Sequence, residues 1–295
     1  LLMFFIVRTA HGFALGSATV ANSTIAIDVL HPERRAEGIG FYGLSNNLAM
    51  ALGPSVALWA YHIYPDFKFL FVLSLISAGI GFIVISTIKN RQPVIARRNE
   101  PLSLDRFFLL KGWRAGLSIA CFAFAYGILS TYLAIYGKET LGITGGTGAY
   151  FMLLAVGLMS SRLIGSRTLR KGKITYNATI GVVVSLIGYT LFAGVNEMWA
   201  YYASALVIGL GNGHFFPAYQ TMFINLAPHT QRGTANSTLL ISWDLGIGIG
   251  VLLGGLVAET YGYQSAFWVS VCGELAGVIV FFTLVRDHFL RNKVR

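Results

Sequence analysis

A few side chains able to hold a proton or a charge stand inside otherwise apolar stretches. They are Arg8 in FFIVRTAHGFALG, His214 in GLGNGHFFPAYQ, Asp244 in ISWDLGIGIGVLLGG and Glu274 in VSVCGELAGVIV. Asp244 has four readings: a catalytic acid, a residue of a nucleotide loop, a proton site within a membrane, or a carboxyl that hydrogen-bonds a neighbouring helix. His214 either titrates near neutral pH or acts as a neutral donor to a carbonyl freed by nearby Pro217. A nucleotide loop needs a preceding strand and a lysine or acidic partner behind the glycines, and residues 241–255 offer neither. No nucleophile–base pair is legible, so the chain does not read as an enzyme. Cys121 and Cys272 are far apart and imply neither a disulfide framework nor a metal site. No cofactor is implied.

The elements that carry these residues are membrane spans. The chain has 295 residues, 55% of them hydrophobic and 12% charged, where soluble domains carry about 25% charge. A spanning helix needs about 20 predominantly apolar residues. Nine stretches qualify: 1–28, 38–61, 67–89, 113–137, 146–167, 174–194, 198–226, 234–258 and 264–287. An ionisable residue at the centre of such a helix costs roughly 2.5–3.5 kcal/mol on insertion scales, so it faces a cavity or a partner.

The formal net charge of +10 raises the question of a nucleic-acid partner, and its distribution answers it. With alternate loops assigned to opposite sides, 18 of the 22 Lys and Arg fall on one side and two, Lys68 and Lys138, on the other. Arg8 and Arg162 lie within spans. That asymmetry is the positive-inside pattern. It places the basic loops and the C-terminus in the cytoplasm and argues against a DNA-binding surface.

The chain also resembles itself. Shifted by 197 residues, Gly12 falls on Gly209, Gly16 on Gly213, Arg35 on Arg232, Ser45 on Ser242 and Gly53 on Gly250. Asn47 is then the counterpart of Asp244. Asp244 follows Arg232 by 12 residues, about 18 Å of helix, which is close to the midplane of a hydrocarbon core about 30 Å thick. Three spans precede the matching point in the second half and none in the first. The expectation is therefore the last nine of twelve helices, with a true nine-span protein as the alternative. Residues 1–89 read as three spans of an incomplete N-terminal bundle, 90–112 as a cytoplasmic linker, and 113–295 as a complete six-helix bundle.

With these residues in view, the chain resembles the major facilitator superfamily, and within it the drug:proton antiporter branch. Arg8 and Gly12 match the fourth-helix motif, with His11 where glutamine is usual. Gly40, Gly53 and Pro54 match the glycine ladder of the fifth helix, with Ala49, Ala57 and Leu58 at its other glycine positions. Gly165, Arg170, Gly172 and Lys173 match the cytoplasmic loop motif, with Leu169 at the acidic position. Gly209, Gly213 and Pro217 match the tenth helix. The resemblance covers the whole chain.

The spacing of small residues gives the motifs a physical basis. Lipid tails are as apolar as leucine, so helices in a bilayer associate through close backbone approach, which small residues permit. Ala49, Gly53 and Ala57 recur every four residues, as do Gly246, Gly250 and Gly254, so each set lines one helix face. Prolines 54 and 217 release a backbone carbonyl and allow a bend.

The resemblance implies an all-α, major-facilitator-like membrane protein that moves a small organic compound by alternating access, with protons as the coupling ion. It implies export by antiport, in the bacterial inner membrane, by a monomer. Proton-coupled uptake and a non-transporting receptor or scaffold of the same ancestry are the rivals. Arg8 is implied to hold down the pKa of a nearby carboxylate, Asp244, His214 and Asn47 to line the transport path, and Asp28, Arg35 and Arg170 to gate the cytoplasmic end. Glu274 is expected on a peripheral helix, against lipid or a neighbour. Tyr132 and Tyr136 are expected to line a pocket or to face the lipid belt.

Overall fold

The computed structural model describes residues 2–31, 63–87, 108–143 and 146–294, with scattered positions between 34 and 61. The described residues are helical, with no strand among them. The helices are α1 (Leu2–Val29), α2 (Phe67–Ser86), α3 (Trp113–Glu139), α4 (Thr147–Arg170), α5 (Ile174–Gly194), α6 (Met198–Leu226), α7 (Arg232–Tyr261), α8 (Tyr263–Val280) and α9 (Arg286–Asn292). A π-helical turn, Phe281–Val285, joins α8 to α9.

Seven helices are long and apolar enough to cross a membrane among the described residues: α1, α2, α3, α4, α5, α7 and the run from α8 through α9. The 29-residue α6 has spanning length as well. Helices α3, α4, α5 and α7 touch it, and this interior position tolerates Asn212, His214 and Gln220, which a lipid-facing helix would not. The expected span at 38–61 lies largely outside the described residues, as does most of the expected linker.

Helix ends follow local chemistry. Asp66 caps α2 by accepting from the Lys68 amide at 2.9 Å, which satisfies one of the free amides of the first turn. The 30-residue α7 stops at Gly262, whose φ of 85° lies in the left-handed region. α8 starts at the next residue, so the chain reverses there in a single glycine.

The packing between helices is set by glycine. A Cβ at Gly246 or Gly250 would run into the Ala120 or Phe124 carbonyl oxygen of α3, and one at Gly254 would lie 2.7 Å from the Ile128 side chain. Gly127 of α3 meets the Ile247 backbone in return. On the other flank of α6, Gly157 of α4 and Gly209 of α6 face each other so closely that each would collide with the other helix's backbone. Gly181 of α5 packs on Phe215, and Gly211 of α6 on Ser185, in the same manner. α3 to α9 therefore enclose two apolar clusters. One, towards the basic ends of the helices, contains Phe122, Phe215, Phe223 and Phe281. The other, at the opposite end, contains Tyr136, Tyr150, Phe192, Tyr201 and Phe267.

Tyr132 and Tyr136 belong to that second region, Tyr136 inside the cluster and Tyr132 packed against it. The Tyr132 hydroxyl donates to the Val251 carbonyl at 2.8 Å. Tyr136 is buried, donates to Asn196 Oδ1 at 2.9 Å, and stacks edge-on against Phe267. Tyr132 ties α3 to α7, and Tyr136 ties α3 to the α5–α6 connection and to α8. α1 and α2 present a different surface: Leu2 to Thr19 are exposed throughout, and α2 buries nothing.

Candidate transport site

The expected site residues fall on α1, α6 and α7. Arg8 is exposed on α1 and Asp244 is exposed on α7. Asp244 stands on the face opposite Gly246 and Gly250, because two residues along an α-helix turn the chain by about 200°. The stripe that packs α7 on α3 thus leaves Asp244 clear of that contact. Asn47, Gly40, Pro54 and Arg35 lie outside the described residues, as do the side chains of Asp28 and Arg170. Gly53, whose backbone is described, has no neighbour within 4 Å of an added Cβ.

α1 meets α7 near the basic end of both. Asn236, fully buried on α7, donates to Ser23 Oγ of α1 at 2.5 Å and accepts from Gln220 Nε2 of α6 at 3.1 Å. Ser23 and Gln220 are also buried, and Ile27 joins the adjacent apolar cluster. Three buried polar side chains thus run in a line from the first half of the chain into the second. Measured from that contact along each helix, Asp244 is eight residues away and Arg8 fifteen, or about 12 Å and about 22 Å at 1.5 Å per residue. Both therefore project beyond the contact, towards the end where α1 is uncovered.

His214 is fixed by α5. Its Nδ1 lies 2.9 Å from Asn177 Oδ1, and Asn177 Nδ2 donates to the His214 carbonyl oxygen at 2.8 Å. A side-chain amide oxygen accepts only, so Nδ1 carries the hydrogen in this pair. Gly165 of α4 leaves the room for it, since a Cβ there would come 2.7 Å from Nδ1. Pro217 stands one turn further along α6, inside an unbroken helix.

Two charged residues carry geometry that the sequence reading did not assign. Arg162 of α4 is 7% exposed, and its Nε and Nη1 have no hydrogen-bond partner. Its Nη2 reaches the first half of the chain, 3.0 Å from where a Cβ at Gly43 would stand. Glu274 is 1% exposed and neither carboxyl oxygen is hydrogen-bonded. Of the two expected surroundings, lipid or a neighbouring helix, it has the second: α8 packs against α3 and α5 and Glu274 is buried. The sequence does place both residues inside spans, which was the available signal. The helix face of Glu274 was not readable, because α8 is apolar around most of its circumference.

The comparisons with known proteins agree with this architecture. The family model of the Major Facilitator Superfamily matches residues 1–213 and 178–294. An uncharacterised MFS-type transporter of Pseudomonas aeruginosa is 27% identical over 173 residues, 58% of this chain and 42% of its own length. The staphylopine export protein of Staphylococcus aureus is 22% identical over 297 residues, 96% of this chain and 73% of its own. Among solved structures, the human organic anion transporter MFSD10 superposes with a TM-score of 0.71 at 17% identity, over 89% of this chain and 67% of that one. The chain thus spans less than half the length of the Pseudomonas relative and about three quarters of the staphylococcal one. With its helices, its glycine-packed interfaces and a family match that runs almost end to end, the chain belongs to the Major Facilitator Superfamily of membrane transporters.

Proposed function

We propose that the protein is a secondary active transporter that exports a small organic compound in exchange for protons. Residues 1–89 supply one side of the passage and residues 113–295 the other, joined by a cytoplasmic linker at 90–112. The observation that carries alternating access is the one-ended contact between α1 and α7. Ser23, Asn236 and Gln220 hold the halves together near the basic ends, while the α1 surface around Arg8 and the α7 surface around Asp244 stay exposed. In this reading, with the basic loops in the cytoplasm, the contact closes the passage at its inner end.

In this reading Asp244 is the carboxylate that takes the coupling proton or meets the substrate, and Arg8 is a fixed positive charge in the same passage. An opposite charge favours the ionised carboxylate, so movement that changes their separation changes proton affinity. His214 and Asn47 line the path. Asp28, Arg35 and Arg170 close its cytoplasmic mouth, and Gly40, Gly53 and Pro54 let the fifth-helix segment bend and pack. Outward direction is supported by the likeness to a protein named as an exporter, which runs over 96% of this chain. The protein works as a monomer in the bacterial inner membrane, its C-terminus in the cytoplasm.

Everted vesicles from cells expressing the protein provide the test. With the interior acidified by respiration and reported by an acridine dye, an exported compound releases protons and restores the dye's fluorescence. A panel of small organic anions, zwitterions and cations is added in turn. Recovery with at least one compound, absent from Asp244→Asn vesicles, is the expected result. Uptake driven by an outside-acid gradient would replace export by symport. No proton-linked flux with any compound would leave the receptor reading.

A further inference from the structure

Glu274 is an ionisable group whose surroundings the transport site just described does not use. It sits on α8, fully enclosed, and both carboxyl oxygens are without a hydrogen bond. The groups around it are neutral. Cys121 of α3, Tyr189 of α5 and Tyr219 of α6 are the titratable side chains whose interaction with it is felt. Tyr126 and Tyr150 stand behind Tyr189. α7 also packs on α8, but its carboxylates, Asp244 and Glu259, are exposed. Among the described residues no Lys, Arg or His hydrogen-bonds its carboxyl.

The enclosure of both oxygens without a partner selects one protonation state. Ser185 of α5 stands beside Glu274 without hydrogen-bonding either of its oxygens. Its own hydrogen is committed to Asn212 Oδ1 of α6, at 3.2 Å, which leaves Ser185 Oγ to accept. An acceptor suits a carboxylic acid, which donates, and not a carboxylate, which only accepts. The Tyr189 hydroxyl is likewise buried and unbonded. It faces the same region and could donate to a carboxylate once the acid proton leaves. An unpaired carboxylate in such an interior costs several kcal/mol, so the resting group is the acid.

We propose that Glu274, with Ser185, Tyr189 and Asn212, forms a proton-binding site inside the second bundle, distinct from Asp244. Glu274 takes a proton from water to become the neutral acid. It returns that proton to water when α5 and α6 shift and Tyr189 becomes a donor to the carboxylate. The site bears on the transport helix directly: Ser185 packs backbone to backbone on Gly211, beside Asn212 and two residues before Gly213. A change of charge at Glu274 therefore acts on α6 below His214 and Pro217. This rests on the proton-coupled reading above and adds a second titrating group to it.

Two measurements on the full protein test it. Infrared difference spectroscopy on reconstituted wild type and Glu274→Gln, titrated from acid to alkaline pH, should show a carboxylic-acid carbonyl band at neutral pH that the variant lacks. Glu274→Asp should keep a shifted band. In everted vesicles, Glu274→Gln should retain binding of the compound found to drive wild-type dye recovery, while its proton release falls at least tenfold. No acid band lost at neutral pH overturns the proposal, as does undiminished proton release by a folded Glu274→Gln. Wild-type vesicles without any proton-linked flux would instead overturn the export reading, and the infrared titration would still decide the site.

Discussion

Asn236 of the second half donates to Ser23 of the first and is itself held by Gln220, so one buried amide bridges α1, α7 and α6. In the proposed transport cycle it is the joint of the cytoplasmic end. Leaving a buried polar group without its partner costs about 1–3 kcal/mol. Asn236→Ala should therefore shift the balance towards the form closed at the other end by roughly tenfold. Cysteine accessibility at the basic end of α1, probed with a membrane-impermeant thiol reagent in everted vesicles, should rise accordingly. Unchanged accessibility in a stable variant would mean the bridge does not hold the closed state.

The glycine stripe predicts a sharp contrast within one helix. Gly250 faces the Phe124 carbonyl with no room for a methyl group, whereas Gly248 has nothing within 4 Å. Gly250→Ala should destabilise the protein by about 1–3 kcal/mol through overpacking. Gly248→Ala should be neutral or stabilise it by up to about 1 kcal/mol, because alanine is the better helix former. Thermal unfolding of the two variants in detergent checks the pair, and equal midpoints would contradict the packing described.

Asp244 and His214 should separate in a different way. Asp244 is exposed and makes no contact in the α3–α7 interface, so Asp244→Asn should leave the unfolding midpoint within a degree or two while abolishing proton-linked flux. His214 shares its Nδ1 with Asn177, so His214→Ala strands that amide and should cost about 1–3 kcal/mol. A large loss of stability in Asp244→Asn would assign Asp244 to packing.

At the opposite end, Tyr136→Phe removes one hydroxyl that donates to Asn196 and keeps the ring against Phe267. The expected loss is about 1 kcal/mol, read as a modest drop in unfolding midpoint. Flux should stay close to wild type, because the hydroxyl only ties α3 to the α5–α6 connection.

Spans were readable because length and apolarity leave little choice in a bilayer, and α1 through α8 lie where those properties put them. The glycines at 246, 250 and 254 were also readable, since a four-residue period of small side chains has one physical use in a helix that packs. The facing of a single side chain was not. α8 is apolar around most of its circumference, so its sequence contains no moment to say that Glu274 points inward. Neighbours from α3 and α5, more than 80 residues away in the chain, decide that. Asn177, Asn236, Ser185 and Gln220 were missed for the same reason. Each is an ordinary polar residue until a partner from another helix arrives. Arg162 was visible as a charge in a span, but its reach to Gly43 depends on how the two halves meet.

The backbone-to-backbone contacts of α6 with α4 and α5, and of α7 with α3, have a mechanical meaning. Where no side chain separates two helices, there is no soft layer to compress, so α3 through α7 can tilt as a lever but cannot bend easily within themselves. A lever of this kind transmits a small displacement at one end into a large one at the other. In the transport cycle proposed above, the joint at Ser23 and Asn236 would bear the stress of each stroke, and the rate of the cycle would depend on how readily those two side chains let go and find each other again.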